Sequence, residues 1–128
     1  MTLEFSGACA PYHAPRTSHH RTVRRQERTW TVTDRIEGGE GRRLDSFIHL
    51  HPRCSIQREG DAFLIAAEGA RLRIETFGTD AVTVHTGERN PAQGWYCPEF
   101  GIALPAPVLR LTVTANDGRE FGYRLVPA

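Results

Sequence analysis

The chain has no lysine: all sixteen of its basic residues are arginine. Arginine forks suit planar carboxylates and sulfates, although a GC-rich genome gives the same bias. Fifteen acidic residues leave a formal charge of +1 over 128 residues. No field of one sign therefore argues for a nucleic-acid or acidic partner. Only three cysteines occur, Cys9, Cys54 and Cys97, far apart and without a Cys-x-x-Cys clip for zinc. An odd count permits one internal disulfide at most, which excludes a disulfide scaffold. No apolar run approaches the roughly 20 residues that cross a bilayer, so no membrane partner is expected. The first residues, MTLEFSGACAPYHAPR, lack the basic start and long apolar run of a signal peptide. Helical periodicity is missing as well, since no stretch of ten residues shows a convincing 3.6-residue period.

What is present is strand patterning, at a length that suits one domain with a single core. Residues 1–18, interrupted by Gly7, Pro11 and Pro15, read as an irregular lead-in. Thr22-Val23-Arg24 and Thr29–Ile36 then alternate, with Trp30, Val32 and Ile36 on one face. The glycine-rich Glu37–Gly41 is a turn. Further strands are expected over about 42–51, 55–58, 63–67, 71–77, 82–85, 108–114 and 120–126. Asn116-Asp117-Gly118 reads as a hairpin signal between the last two. Residues 87–107 are less regular and rich in Pro and Gly. The expected fold is all-β, an antiparallel β-sandwich of about nine short strands, occupying residues 19–128.

Chemistry concentrates in two places. In Phe47-Ile48-His49-Leu50-His51-Pro52, alternation sets Phe47, His49 and His51 on one strand face and Ile48 and Leu50 on the other. Two imidazoles about 7 Å apart share a zinc or iron if a third ligand arrives, with His19, His20, Asp34, Asp45 and His85 as sources. The other reading is a packed or surface histidine pair. Cupin-type metal sheets also carry His-x-His, but with Glu and Gly at positions where this chain has Ser55 and Ile56. The metal candidates are therefore His49 and His51 alone, and no cofactor is implied. In Gly94–Gly101, Trp95 and Tyr96 offer flat faces with a polar edge, suited to stacking on sugar rings or to plugging the end of a sandwich. Cys97 has no base beside it. No Ser-His-Asp spacing, phosphate-cradling loop or DNA-reading helix occurs.

Four segments taken in order carry a resemblance: His19-His20-Arg21-Thr22-Val23, Thr33–Gly38, Phe47–Pro52 and Gln93–Gly101. From about residue 19 to 126 the chain resembles the C-terminal β-sandwich of heparinase II/III-like proteins. The resemblance implies polysaccharide lyases of bacteria that cleave uronic-acid glycans by β-elimination, in the periplasm or cell envelope, with an α/α toroid stacked on β-sheet domains. The family's toroid and metal motifs (His-Gly-His-Ala-Asp, Asp-Pro-Gly, Ala-His-Asn-Thr) have no counterpart here, so no catalytic residue carries over. The expectation is a module without catalysis of its own, supporting a toroid or touching an acidic polysaccharide. Its candidate contacts are Trp95, Tyr96, His49, His51 and Arg21. The alternatives are a metal-dependent cupin-like enzyme centred on His49 and His51, and a domain whose exposed apolar face only docks another protein.

Overall fold

The structure, a computed structural model, describes residues 1–9, 16–116 and 118–128. Fourteen strands occur among them: β1 (Thr2–Cys9), β2 (Thr17–Gln26), β3 (Thr29–Glu37), β4 (Arg43–His49), β5 (Ser55–Glu59), β6 (Ala62–Ala67), β7 (Ala70–Phe77), β8 (Ala81–His85), β9 (Glu88–Arg89), β10 (Ala92–Gln93), β11 (Trp95–Glu99), β12 (Ile102–Pro105), β13 (Val108–Thr114) and β14 (Arg119–Pro127). A seven-stranded sheet runs β1-β2-β3-β14-β7-β6-β5, and a three-stranded sheet runs β4-β13-β8. Two short hairpins, β9–β10 and β11–β12, complete the set. Every pairing is antiparallel.

The all-β sandwich expected from the alternation is the architecture observed, with two additions to its strand count. Residues 87–107 contribute four short strands rather than irregular chain. The lead-in is also corrected: Thr2–Cys9 pairs in register with Thr17–Arg24. There Leu3 and Phe5 alternate with Glu4 and Ser6, a short period that Gly7 and the nearby prolines disguise. The remainder of the expected lead-in, residues 10–15, lies outside the described residues.

The core forms where alternate residues of the two sheets meet. Phe63, Ile65 and Ile74 of the large sheet pack on Leu109 and Leu111 of β13, with Ile48, Leu50, Val82 and Leu125 around them. A second cluster joins Ile36 and Phe121 of the large sheet to Val113 and Ala115, with Leu44 beside it. Each such aliphatic side chain taken from water stabilises the fold by about 1.5–3 kcal/mol. Close approach also constrains the large sheet at Gly122, where any Cβ would come within 1.9 Å of the Val32 carbonyl oxygen.

This packing overrides the hairpin expected between the last two strands. β13 and β14 belong to different sheets, because Val113, Ala115 and Phe121 all enter the gap between them. The connection steps across that gap, held by Ala115 N to Arg42 O (2.7 Å), Gly41 N to Ala115 O (3.0 Å) and Gly118 N to Ile36 O (3.0 Å). Asp117 of the turn signal lies outside the described residues. β7 and β8 also change sheets, through Gly78-Thr79-Asp80, and Arg119 clasps this crossing. Its guanidinium donates to Asp80 Oδ1 (2.7 Å), Gly78 O (2.9 Å) and Thr114 O (2.9 Å), while Thr114 N donates to Asp80 Oδ2 (2.6 Å).

The Arg119 hydrogen bond, with that from Thr114 N, holds the Asp80 carboxyl below the ordinary carboxylate range. A depressed folded-state value means that this stabilisation is complete above the unfolded value and is lost as pH falls through the folded one. Wild type is therefore expected to unfold at higher denaturant than Asp80→Asn at neutral pH. The gap should close as the titration passes below the ordinary carboxylate range; a gap of constant size from neutral to acid pH would contradict the clasp.

Candidate functional site

The register of the three-stranded sheet arranges its outer face in rows. Because Leu44 and Ile48 of β4 point into the core, Asp45, Phe47 and His49 point outward. Val108 stands between His49 and His85, Arg110 between Phe47 and Thr83, and Thr112 between Asp45 and Ala81. The outward face thus carries an imidazole row, an aromatic–cation row and a carboxylate–hydroxyl row.

Val108 is outward by this alternation and yet 0% exposed, because residues 87–107 fold back over this end of the sheet. Gly94 pins the excursion. Its carbonyl accepts from Gly87 N (2.8 Å) and Ala106 N (2.9 Å), its φ is +77°, and a Cβ there would meet Thr86 Cα at 2.7 Å. Only glycine suits this position. A polar chain then sets the next residue: His85 Nε2 meets Thr83 Oγ1 at 2.7 Å, His85 Nδ1 meets Glu88 Oε2 at 2.8 Å, and the Trp95 indole donates to the Glu88 carbonyl at 2.7 Å. In a hydroxyl–imidazole–carboxylate order the imidazole can take the hydroxyl proton while the carboxylate orients the ring. Here the chain fixes the loop that presents Trp95.

Between this loop and the sheet lies an open groove of about 540 Å³, lined by Phe47, His49, Trp95 and Arg110, with Pro91 to Gly94 as its far wall. Such a volume falls in the range of small-ligand sites. The Phe47 and His49 rings stack with centroids 6.1 Å apart. Next along the chain from Trp95, Tyr96 tilts against His51 at 5.4 Å. Four of the five contacts expected from sequence are thus drawn together in two neighbouring pairs, His49 with Trp95 and His51 with Tyr96. β4 ends at His49, so His51 belongs to the following turn, not to the strand as its alternation suggested. Its Nδ1 accepts from Arg53 N at 3.2 Å, the local bond of a turn begun before Pro52.

Arg21, the fifth candidate, sits on the other sheet, where it is an internal partner. Asp34 is 1% exposed and takes Arg21 Nε at 2.7 Å and Nη2 at 2.9 Å, with His19 Nε2 at 2.6 Å. Burying this carboxylate without such partners would cost several kcal/mol. The Asp34 hydrogen bond raises the Arg21 pKa, and burial raises that of Tyr123 nearby.

Among the described residues, no three His, Cys, Asp or Glu side chains gather as a metal site. The proposed third ligands are engaged elsewhere: His85 with Thr83 and Glu88, His19 with Asp34, His20 with Glu37, and Asp45 with Arg43, Arg110 and Thr112. Residues that sequence reasoning did not single out are Arg110 and Gln93. The alternation of Leu109, Leu111 and Val113 already put Arg110 on the outward face, but only the register places it beside Phe47.

The family model described as "Heparinase II/III-like, C-terminal" matches residues 2–124. The match takes in β1, beyond the segment from residue 19 on which the sequence resemblance rested. No curated protein and no solved structure matches the chain.

Replacing Arg21 by Ala leaves the buried Asp34 carboxylate with His19 as its remaining ion-pair partner, with an expected loss of about 2–3 kcal/mol in stability. Equilibrium urea unfolding measures it. A loss under about 1 kcal/mol, the scale of an exposed ion pair, would return Arg21 to the list of free surface contacts.

Proposed function

Because the chain belongs to the heparinase II/III-like C-terminal family, we propose that it is a non-catalytic β-sandwich module of a polysaccharide lyase system, holding an acidic polysaccharide in the small-sheet groove. The observation that carries this reading is the convergence of Trp95, His49 and Phe47 on one groove, with Tyr96 and His51 paired beside it. Flat rings with polar edges fit the faces and hydroxyls of sugars. The compartment that goes with this reading is the periplasm or cell envelope.

β-Elimination needs a base for the proton α to the carboxylate and an electrophile for the resulting enolate. The groove's lining holds one histidine, one arginine, no tyrosine and no carboxylate, a set we assign to contact with the glycan and not to proton abstraction. We assign the chemistry to an α/α-toroid partner. The large sheet offers such a partner a surface. Leu3 and Phe5 are 45% and 57% exposed, and their register with Val23, Val32, Arg21 and Asp34 sets them on the core-facing side of that sheet. An apolar row left uncovered there favours docking as a second role.

In titration calorimetry against acidic polysaccharides, Trp95→Ala and Tyr96→Ala are each expected to weaken binding by about tenfold. The purified chain should release no unsaturated uronate product. Equal binding by wild type and both variants would remove the groove from this function, and product formation by the chain alone would refute the non-catalytic assignment.

A further inference from the structure

Two hydrogen-bond donors lie beneath the groove with no acceptor among the described residues: Arg110 Nε and the side-chain amide nitrogen of Gln93. Both residues line the groove. Unpaired buried donors are destabilising, and native interiors hold few of them. Asp45 does not relieve Arg110 Nε. It already receives Arg110 Nη2 at 2.8 Å, Thr112 Oγ1 at 2.7 Å and Arg43 Nε at 3.3 Å. One carboxylate is therefore shared by two guanidiniums, and Arg110 keeps its Nε–H for a second anion.

We propose that Arg110 and Gln93 are the specificity-determining residues of the groove, selecting a sugar that bears a carboxylate over its neutral counterpart. The proposal rests on the groove being the glycan-contact face. A carboxylate supplies lone pairs enough for both donors together and makes a charge-assisted bond with the guanidinium. A neutral sugar can offer these donors a hydroxyl oxygen, but no charge to oppose the guanidinium. Both nitrogens are sealed from bulk water, so the carboxylate reaches them as the Gln93 side chain, carried on the two-residue β10, turns aside. Ring stacking by Trp95 and His49 would then hold the sugar in either form, while the floor distinguishes between them.

Titration calorimetry with hexamers of galacturonate and of alginate, each compared with the same oligomer after reduction of its carboxyls to alcohols, tests the idea. Wild type should bind at least one acidic hexamer about tenfold more tightly than its reduced form. Gln93→Leu removes the amide donors and Arg110→Lys keeps the charge beside Asp45 while removing Nε–H. In each variant the acidic hexamer is expected to fall toward the affinity of the reduced one, which should hardly change. A second readout separates recognition from packing: Gln93→Leu also deletes an unpaired buried donor, so its thermal midpoint should equal or exceed that of wild type. Should both variants keep the full acid preference, the assignment of Arg110 and Gln93 is overturned and the groove remains a glycan site. Absence of binding by wild type to acidic and reduced hexamers alike would instead overturn the glycan-contact reading, and this one with it.

Discussion

The packing of β13 against the large sheet is the contact on which the remaining structure depends. Leu109, Leu111 and Val113 are 0% exposed and fill both core clusters. On its other side the strand is covered at one end, over Val108, and opens at Arg110 into the groove. Only Val108-Leu109, at the covered end, reads as an unbroken apolar pair; from Leu109 onward apolar and polar residues alternate through Leu111 and Val113. The same seven residues therefore close the core and carry the polar floor of the site. Arg110 is held by Asp45 from the strand on one side, with Thr83 on the other. A groove built on a rigid strand keeps its geometry better than one built from loops alone.

The unequal size of the two sheets has its own consequences. Three strands do not cover seven, so β1 and β2 extend past the small sheet, and the core-facing side there changes character. Near the boundary stands Asp34, with Arg21 and His19 gathered around it; further out stand Leu3 and Phe5, exposed. Asp34 interrupts the apolar alternation of Val32 and Ile36 at a point where the packing thins, so its charge is met by side chains that keep partial contact with water. The cluster is thus a structural device of the overhang, which explains why an arginine in a family-like segment is an internal partner and not a surface contact.

Loop placement is the third element. The excursion 87–107 consists of two short hairpins, β9–β10 and β11–β12; two hydrogen bonds to the Gly94 carbonyl and the indole bond to the Glu88 carbonyl hold it together, and the His85–Glu88 contact ties it to the end of β8. Each is short in sequence span or anchored at the end of β8. Trp95 is consequently delivered to the same edge of the sheet as His49, although the two are far apart in the chain. The hydrophobic effect covers Val108, while the polar bonds decide the orientation of the ring that does not enter the core.

Alternation alone determined a good deal. The period of two in Thr29–Ile36, Arg71–Phe77 and Val108–Thr114 specified strands and their buried faces, because a strand presents successive side chains to opposite sides. It also put Phe47 and His49 on one face, and the order of four loose motifs indicated the family. Other features depended on contacts between distant segments. Asn-Asp-Gly favours a tight turn locally, yet Val113, Ala115 and Phe121 gain more by entering the space between sheets, so the chain crosses there instead of folding into a hairpin. His51 follows the strand period but leaves the strand, as a turn bond from Arg53 takes its ring nitrogen. The partnership of Arg21 with Asp34 and that of Arg110 with Phe47 are both matters of register, which is fixed by which residues bury together across sheets. A sequence specifies the faces of its strands; only the assembled sheets decide which faces meet.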